Sequence, residues 1–483
     1  MTEAVAAAAA PVPSTMRRDI LSAYAATGMR VLSWAIISAL VYRKLGAGAF
    51  AAITLVRATL AVLNYASLGL APAMIARLAT AQGRAVPVVP VTAVGVEGAT
   101  LTYADAEANK PPKPTASPVQ TLYFSGLTML LIAAACGAIL LVGYANLFGK
   151  FLKVDEASAV TAATVEQLVL FMGVGVLFRL LSDASGAVLQ SSGRIAIDNF
   201  VLAASDVMWV TLCAAWTLNG DPTLDDVGSA FLLASLFQLV ARFIAAERVA
   251  RLTNLEIDID WRAGREMLGY GIMVTLAQVA DYLYAPTDFL LINQLLAPSA
   301  VADYSPAVQI DSGLLLLVSG LAGVLLPKAA IAHAVGNHTA LRTYYVRATL
   351  ASFALLVAGA GAVWALSPWI FRLWLGSDMP VTRQILPLIL ISTVVGGSGM
   401  VGRSILIAIG KVKPFMIAAL IAGAANVVLS ITFVKLGLGL RGIVYGTVIV
   451  VIARAGIWLP WYVMRTLRST PGQNRSTSGS SFG

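Results

Sequence analysis

Charge is what this sequence has least of. Only 12% of its 483 residues are Asp, Glu, Lys or Arg, about half the share in a typical soluble domain. In contrast, 58% are hydrophobic and the mean hydropathy is +0.82. This excludes an ordinary water-soluble globule and predicts an all-α polytopic membrane protein, because a helix satisfies its own backbone hydrogen bonds in lipid. Cysteine is almost missing too. Cys136 and Cys213 both sit in apolar runs, which excludes a disulfide framework. The two histidines, His333 and His338, lie on a loop and read as a solvated pair, so no metal site and no cofactor is expected. Met1 to Asp19 lacks a small-residue cleavage site after an apolar stretch of signal-peptide length, so insertion is expected to be directed by the first helix. The net charge of +9 comes from cations scattered singly through loops, without interleaved aromatics, which argues against a nucleic-acid partner.

What is present is a succession of apolar runs long enough to span a bilayer. There are twelve: Ile20–Tyr42, Ala49–Ala71, Leu122–Tyr144, Gln167–Leu189, Phe200–Thr217, Gly228–Ala246, Met267–Leu296, Ala302–Leu326, Ala348–Leu366, Ile385–Ile409, Pro414–Phe433 and Gly442–Val463. With the N-terminus inside, twenty loop cations, Arg242 among them, fall on the cytoplasmic side and eight on the other. The positive-inside rule therefore predicts cytoplasmic termini.

Twelve spans divide into two sixes, expected as pseudo-symmetric lobes related by an axis along the membrane normal. A shift of 251 residues places Leu45 on Leu296, Gly69 on Gly320, Arg77 on Lys328 and Arg30 on Asp281. The expected organisation is a cytoplasmic segment 1–19, an N-lobe 20–247, a charged cytoplasmic linker 248–265, a C-lobe 266–465 and a disordered Ser/Gly-rich cytoplasmic tail 466–483. Within the N-lobe, the Pro-rich segment 81–118 reads as a flexible cytoplasmic loop, or as an arm that docks a partner enzyme.

A cation inside a membrane helix costs about 2.5–3.5 kcal/mol on insertion scales, so it persists where it faces water, a partner or an anionic cargo. Five arginines lie within the predicted spans: Arg30, Arg57, Arg179, Arg403 and Arg454. Arg30 is ten residues into its span, about 15 Å at 1.5 Å per residue, too deep to snorkel. Arg179 and Asp183 are four apart, the spacing of an intrahelical ion pair. Arg403 follows Gly396, Gly397, Gly399 and Gly402, a pattern for close helix packing or for a bend around a cavity. Arg454 fits the lining of a lateral portal and a pairing with a neighbour equally. Asp206, Asp281, Asp288 and Asp311 are also intramembrane or close to it. Pro286 and Pro306, near two of them, remove backbone hydrogen bonds and permit bends. The tryptophans read chiefly as interfacial anchors, with sugar stacking as a second use for Trp34 or Trp209.

The hairpin from Arg43-Lys44-Leu45-Gly46 through Ser67-Leu68-Gly69-Leu70-Ala71-Pro72-Ala73-Met74-Ile75-Ala76-Arg77 resembles the opening of the polysaccharide repeat-unit flippases, the Wzx type. These belong to the multidrug/oligosaccharidyl-lipid/polysaccharide exporter superfamily. Further similarity lies in Asp288-Phe289-Leu290-Leu291-Ile292-Asn293, Ala302-Asp303-Tyr304-Ser305-Pro306-Ala307, Trp369-Ile370-Phe371-Arg372-Leu373-Trp374-Leu375-Gly376 and Gly410-Lys411-Val412-Lys413-Pro414. The sequence differs from the family in having Ala66-Ser67-Leu68 where an acidic residue is common, and in the longer segment 81–118.

The resemblance implies a non-enzymatic flippase of the bacterial inner membrane. It would move an undecaprenyl-diphosphate-linked oligosaccharide between leaflets by alternating access, for surface or exopolysaccharide biosynthesis. Arginine suits a diphosphate cargo through bidentate, permanently charged hydrogen bonding, so Arg30, Arg57, Arg179, Arg403 and Arg454 are the candidate substrate ligands. Asp281, Asp288 and Asp311 are the candidate gating or ion-coupling residues, for H+ or Na+. Arg30 and Asp281 are expected to meet in one state, with an ordinary pairing within a lobe as the alternative for Asp281. A polymerase or export machinery stands as a partner. Two rivals remain: a cation-coupled multidrug exporter of the same superfamily, for which membrane arginines are a poor lining, and a membrane-embedded polymerase, for which the outward loops are too short.

Overall fold

The computed structural model describes residues 14–61, 63, 69–81, 118–151, 153, 160–220, 222–252, 258–269, 285–334 and 336–468. The described residues are helical throughout, with short turns between helices and no strand among them. The segment 82–117 and Asp281 lie outside them. Eight described helices are long and apolar enough to cross a membrane, which makes the chain a multi-pass membrane protein. It falls into two compact helical units, one containing residues 14–81, 118–151 and 160–269, the other containing Lys153 and residues 285–468.

In the first unit the elements are α1 (Ser14–Leu60), α2 (Leu70–Ala81), α3 (Pro118–Phe151), α4 (Ala162–Ser191), α5 (Ile195–Asn219) and α6 (Leu224–Ala250). The long α1 is two helical limbs meeting at Gly46, whose φ of 87° and ψ of 177° are not helical. A straight helix would hold Trp34 and Arg57 about 35 Å apart, yet the Arg57 guanidinium carbon is 4.0 Å from the centre of the Trp34 ring. The chain therefore reverses at Gly46, a conformation glycine adopts without steric cost. The connection expected between the runs Ile20–Tyr42 and Ala49–Ala71 shrinks to that residue.

Polar side chains set the remaining boundaries. Thr161 caps α4 by accepting from the Thr164 amide, and Thr223 with Asp226 forms a capping box at the start of α6. The end of the connection after α6 is tied back to α3: Asp258 accepts from the Thr121 hydroxyl, and the Asp260 amide donates to Ser125 Oγ. Arg77 of α2 meets Glu266 at 2.6 Å.

The second unit contains α7 (Ala285–Leu295), α8 (Ser299–Ala334), α9 (His338–Leu375), α10 (Pro380–Ala408), α11 (Val412–Phe433), α12 (Gly439–Val451) and α13 (Leu459–Arg468). Wider helical turns at Val434–Leu438 and Ile452–Trp458 adjoin α12 on either side. Pro306 lies within α8, which runs past it as one helix, and Pro286 stands next to the first residue of α7. One core of this unit gathers Leu325, Tyr345, Val401, Ile405, Leu459 and Val463 from four helices.

Candidate functional site

Each unit holds a cavity of its own. In the first unit a space of about 450 Å³ is lined by Arg30, Trp34, Arg57, Arg179, Asp183, Asp206, Trp209, Phe231, Gln238 and Arg242, among others. Four of its lining residues are arginines and two are aspartates, so its formal balance is positive.

Asp206 of α5 is the hub of the acidic part. Its Oδ2 lies 3.3 Å from Arg30 Nε and its Oδ1 3.1 Å from Arg179 Nη2, and its side chain is 4% exposed against 49% for Arg30. Arg179 also donates to Ser235 Oγ at 3.1 Å and to Ser205 Oγ at 3.5 Å. The expected Arg179–Asp183 pair therefore does not form. Both residues are on α4, but Asp206 reaches Arg179 from α5 and Arg242 takes Asp183.

The charge pattern along the chain places Arg242 among the cytoplasmic loop cations. The structure corrects this: it is buried within α6, donates to Asp198 through Nε at 2.7 Å and Nη2 at 3.0 Å, and reaches Asp183 at 3.0 Å. Gln190 completes the coverage of Asp198 at 2.9 Å. Room for this guanidinium exists because residue 186 is glycine; a Cβ there would sit 2.5 Å from Arg242 Nη2. Arg242 and Asp198 were missed because a cation near the end of an apolar run looks like a loop cation. The available signal was the i, i+4 phase of Gln238 and Arg242 on one face of α6.

Arg57 differs from the other three arginines. Among the described residues it has no carboxylate partner, and its guanidinium instead covers the Trp34 ring. Trp34 stacks on Trp209, with ring centres 6.0 Å apart and planes 23° from parallel. Trp209 meets Phe231 edge to face at 4.8 Å, and the Arg179 guanidinium carbon is 4.6 Å from the Phe231 ring centre. Trp34 and Trp209 are only 7% and 4% exposed. They are neither interfacial anchors nor open platforms for a sugar, since Arg57 and Trp209 take up the Trp34 ring. Trp364, Trp369 and Trp461 are exposed, as membrane-interface residues should be.

The second unit's cavity, about 310 Å³, is lined by Asp288, Asp311, Arg403 and Arg454 together with Tyr304, Thr393 and Thr447. The five candidate arginines are thus divided, three in the first unit and two here. Asp288 is fully buried and accepts from Tyr304 Oη at 3.1 Å, Asn426 Nδ2 at 2.9 Å and Thr447 Oγ1 at 2.8 Å. The Thr447 hydroxyl is also 3.0 Å from Asn426 Oδ1, which gathers several oxygens at one point. Asp311 accepts from Thr393 Oγ1 at 2.5 Å. Arg403 and Arg454 each hold the guanidinium carbon 5.5 Å from the Phe415 ring centre. Asp281, expected to meet Arg30, lies outside the described residues, and among those described Arg30 has Asp206 as its acidic partner.

The MatE family model matches residues 274–432, which fall in the second unit. An uncharacterized membrane protein, EpsK of Bacillus subtilis (strain 168), is 25% identical over 330 residues, 67% of this chain and 64% of that protein. The chain thus matches less than two thirds of that relative's length. Among solved structures, one described as the inward-facing conformation of a multidrug resistance MATE family transporter of the MOP superfamily is 18% identical. It superposes with a TM-score of 0.72 over 92% of this chain and 96% of that one. A MOP superfamily transporter from Pyrococcus furiosus, described by a reversed polarity of its binding pocket, is 17% identical with a TM-score of 0.64 over 94% and 96%. At these identities the likeness is one of fold, and the fold is the all-α, two-lobed architecture of the MOP-superfamily transporters.

Proposed function

We propose that the chain is a bacterial inner-membrane flippase, with both termini cytoplasmic. It moves an undecaprenyl-diphosphate-linked oligosaccharide repeat unit from the cytoplasmic to the periplasmic leaflet by alternating access, without covalent chemistry. One observation carries this reading: Arg57 stands in a positively balanced cavity, backed by an aromatic ring and with no carboxylate on it among the described residues. A cation kept permanently charged inside a membrane protein, with its N–H edge uncommitted among the described residues, suits an anionic cargo, and guanidinium matches phosphate oxygens in pairs. Arg30 and Arg179, now sharing Asp206, would join Arg57 once the diphosphate competes for them. Arg403 and Arg454 would serve the glycan end or the path it takes. Asp288 and Asp311 would couple transport to H+ or Na+; the oxygen cluster around Asp288 suits either a shared proton or a hard cation. A polymerase or export assembly that consumes the flipped product is the natural partner.

A second reading, a cation-coupled multidrug exporter, is favoured by one feature, the buried carboxylate Asp288 and the half-buried Asp311 lining the second unit's cavity. Proteoliposomes separate the two. Flipping of a lipid-diphosphate-linked oligosaccharide is measured for the wild type and Arg57→Ala, with export of a cationic drug assayed in parallel. Loss of a charge-assisted bidentate contact corresponds to roughly a 10- to 150-fold fall in flipping by the variant, with no drug export by either protein. Drug export by the wild type without flipping would overturn the flippase reading in favour of the exporter.

A further inference from the structure

A buried guanidinium needs a partner, and a carboxylate is a poor one for a group that must bind phosphate, because both anions use the same N–H edge. An aromatic face is different. It attracts the flat face of the cation through its quadrupole and leaves the in-plane N–H donors unoccupied. The first unit contains both solutions side by side. Arg30 and Arg179 share Asp206, whereas Arg57 lies 4.0 Å over Trp34.

Trp34 is itself fixed. It belongs to a row of three rings drawn from α1, α5 and α6, with Trp209 in the middle and Phe231 at the far end. The Trp209 indole N–H donates to the Val227 carbonyl at 3.2 Å, so the middle ring is pinned in its plane. A guanidinium covers each end of the row, Arg57 on Trp34 and Arg179 on Phe231.

We propose that Trp34, held by Trp209, is a positioning residue that presents the Arg57 guanidinium to a phosphate group of the cargo in place of an acidic counter-ion. This rests on the anionic-cargo reading above and deepens it: the Trp34 indole is committed to a cation and not to a sugar.

The experiment measures binding of inorganic pyrophosphate to the full-length protein in detergent, by calorimetry. It uses the wild type, Trp34→Leu, Trp34→Phe, Arg57→Gln and the double variant Trp34→Leu/Arg57→Gln. Replacing the ring by an aliphatic group should weaken binding about 10- to 30-fold, the equivalent of a desolvated cation–π contact, and the smaller aromatic ring of Phe should hold the loss to about 3-fold. Once Arg57 is gone, Trp34→Leu should add less than about a 2-fold further loss, because its effect passes through Arg57. The cycle covers the case in which Trp34→Leu merely loosens the bundle, since a general loosening would weaken the Arg57→Gln background as well.

An equal loss in both backgrounds overturns the proposal. So does wild-type affinity in Trp34→Leu. Absence of pyrophosphate binding by the folded wild type is a different failure: it removes the anionic-cargo reading and the role of Trp34 with it.

Discussion

The cavities of the two units use the same two residue types in opposite ways. In the first, arginines outnumber aspartates among the lining residues, the carboxylate Asp206 is shared between two guanidiniums, and Arg57 is left to an aromatic face. In the second, among the described residues Asp288 receives no arginine; it is satisfied by neutral donors from Tyr304, Asn426 and Thr447. A guanidinium without a carboxylate is prepared for an anion, and a carboxylate without a guanidinium is prepared for a proton or a cation. Under the proposed function, this difference is the reason to look for cargo binding in the first unit and ion coupling in the second.

The largest effect is expected at Arg242, which is the brace of the first cavity and not its ligand. Arg242→Ala leaves Asp198 buried with only Gln190 and uncovers Asp183. Breaking a buried ion pair in this way costs on the order of 3–5 kcal/mol, and the thermal unfolding midpoint should fall accordingly. An unchanged midpoint would show that the Arg242–Asp198 pair and its contact with Asp183 are not what supports the cavity.

Next comes Asp288→Asn, which preserves shape but removes the charge in the second unit. Ion-driven transport should be lost, at least about 10-fold, as for a functional intramembrane carboxylate. Pyrophosphate binding should stay at the wild-type level, and its loss would erase the division of labour between the units.

Asp206→Asn frees Arg30 and Arg179 from their shared competitor. Pyrophosphate affinity should rise, by roughly 10-fold for a relieved charge-assisted contact of about 1.4 kcal/mol. A fall in affinity would mean that Asp206 orients the arginines and does not compete for them.

The smallest effect serves as the control outside both cavities. The Arg77 guanidinium, by direct hydrogen bonding, holds the Glu266 carboxyl below its ordinary value of 4.5. A depressed carboxylate stabilises the fold above the unfolded value, and that contribution fades as pH falls through the folded value. Glu266→Gln should therefore flatten the acid side of the unfolding profile slightly, below about pH 4.5, and leave both transport and pyrophosphate binding unchanged.

Much of this was legible in the residues. Apolar run length identified the helices because a span in lipid leaves few alternatives, and the position of Arg30 and Arg57 inside apolar runs made them candidates before any contact was known. The turn at Gly46 lay inside the expected hairpin loop. What misled was local spacing. Arg179 and Asp183 stand one helical turn apart, yet Asp206 from α5 and Arg242 from α6 outcompete the local pair, since each buried charge settles with whichever partner desolvates it least. Tryptophans in apolar runs read as interfacial by default, but Trp34 and Trp209 lie where two helices close on each other.

Composition, run length and the rarity of intramembrane charge thus determined by themselves that this is an all-helical membrane protein with arginines and aspartates in its interior. Only the tertiary structure decided that Arg30 and Arg179 meet a carboxylate in the first cavity while Arg57, among the described residues, does not. That choice depends on side chains more than a hundred residues apart in sequence, Arg30 and Asp206 among them, meeting in one bundle. No periodicity along the chain encodes such a meeting.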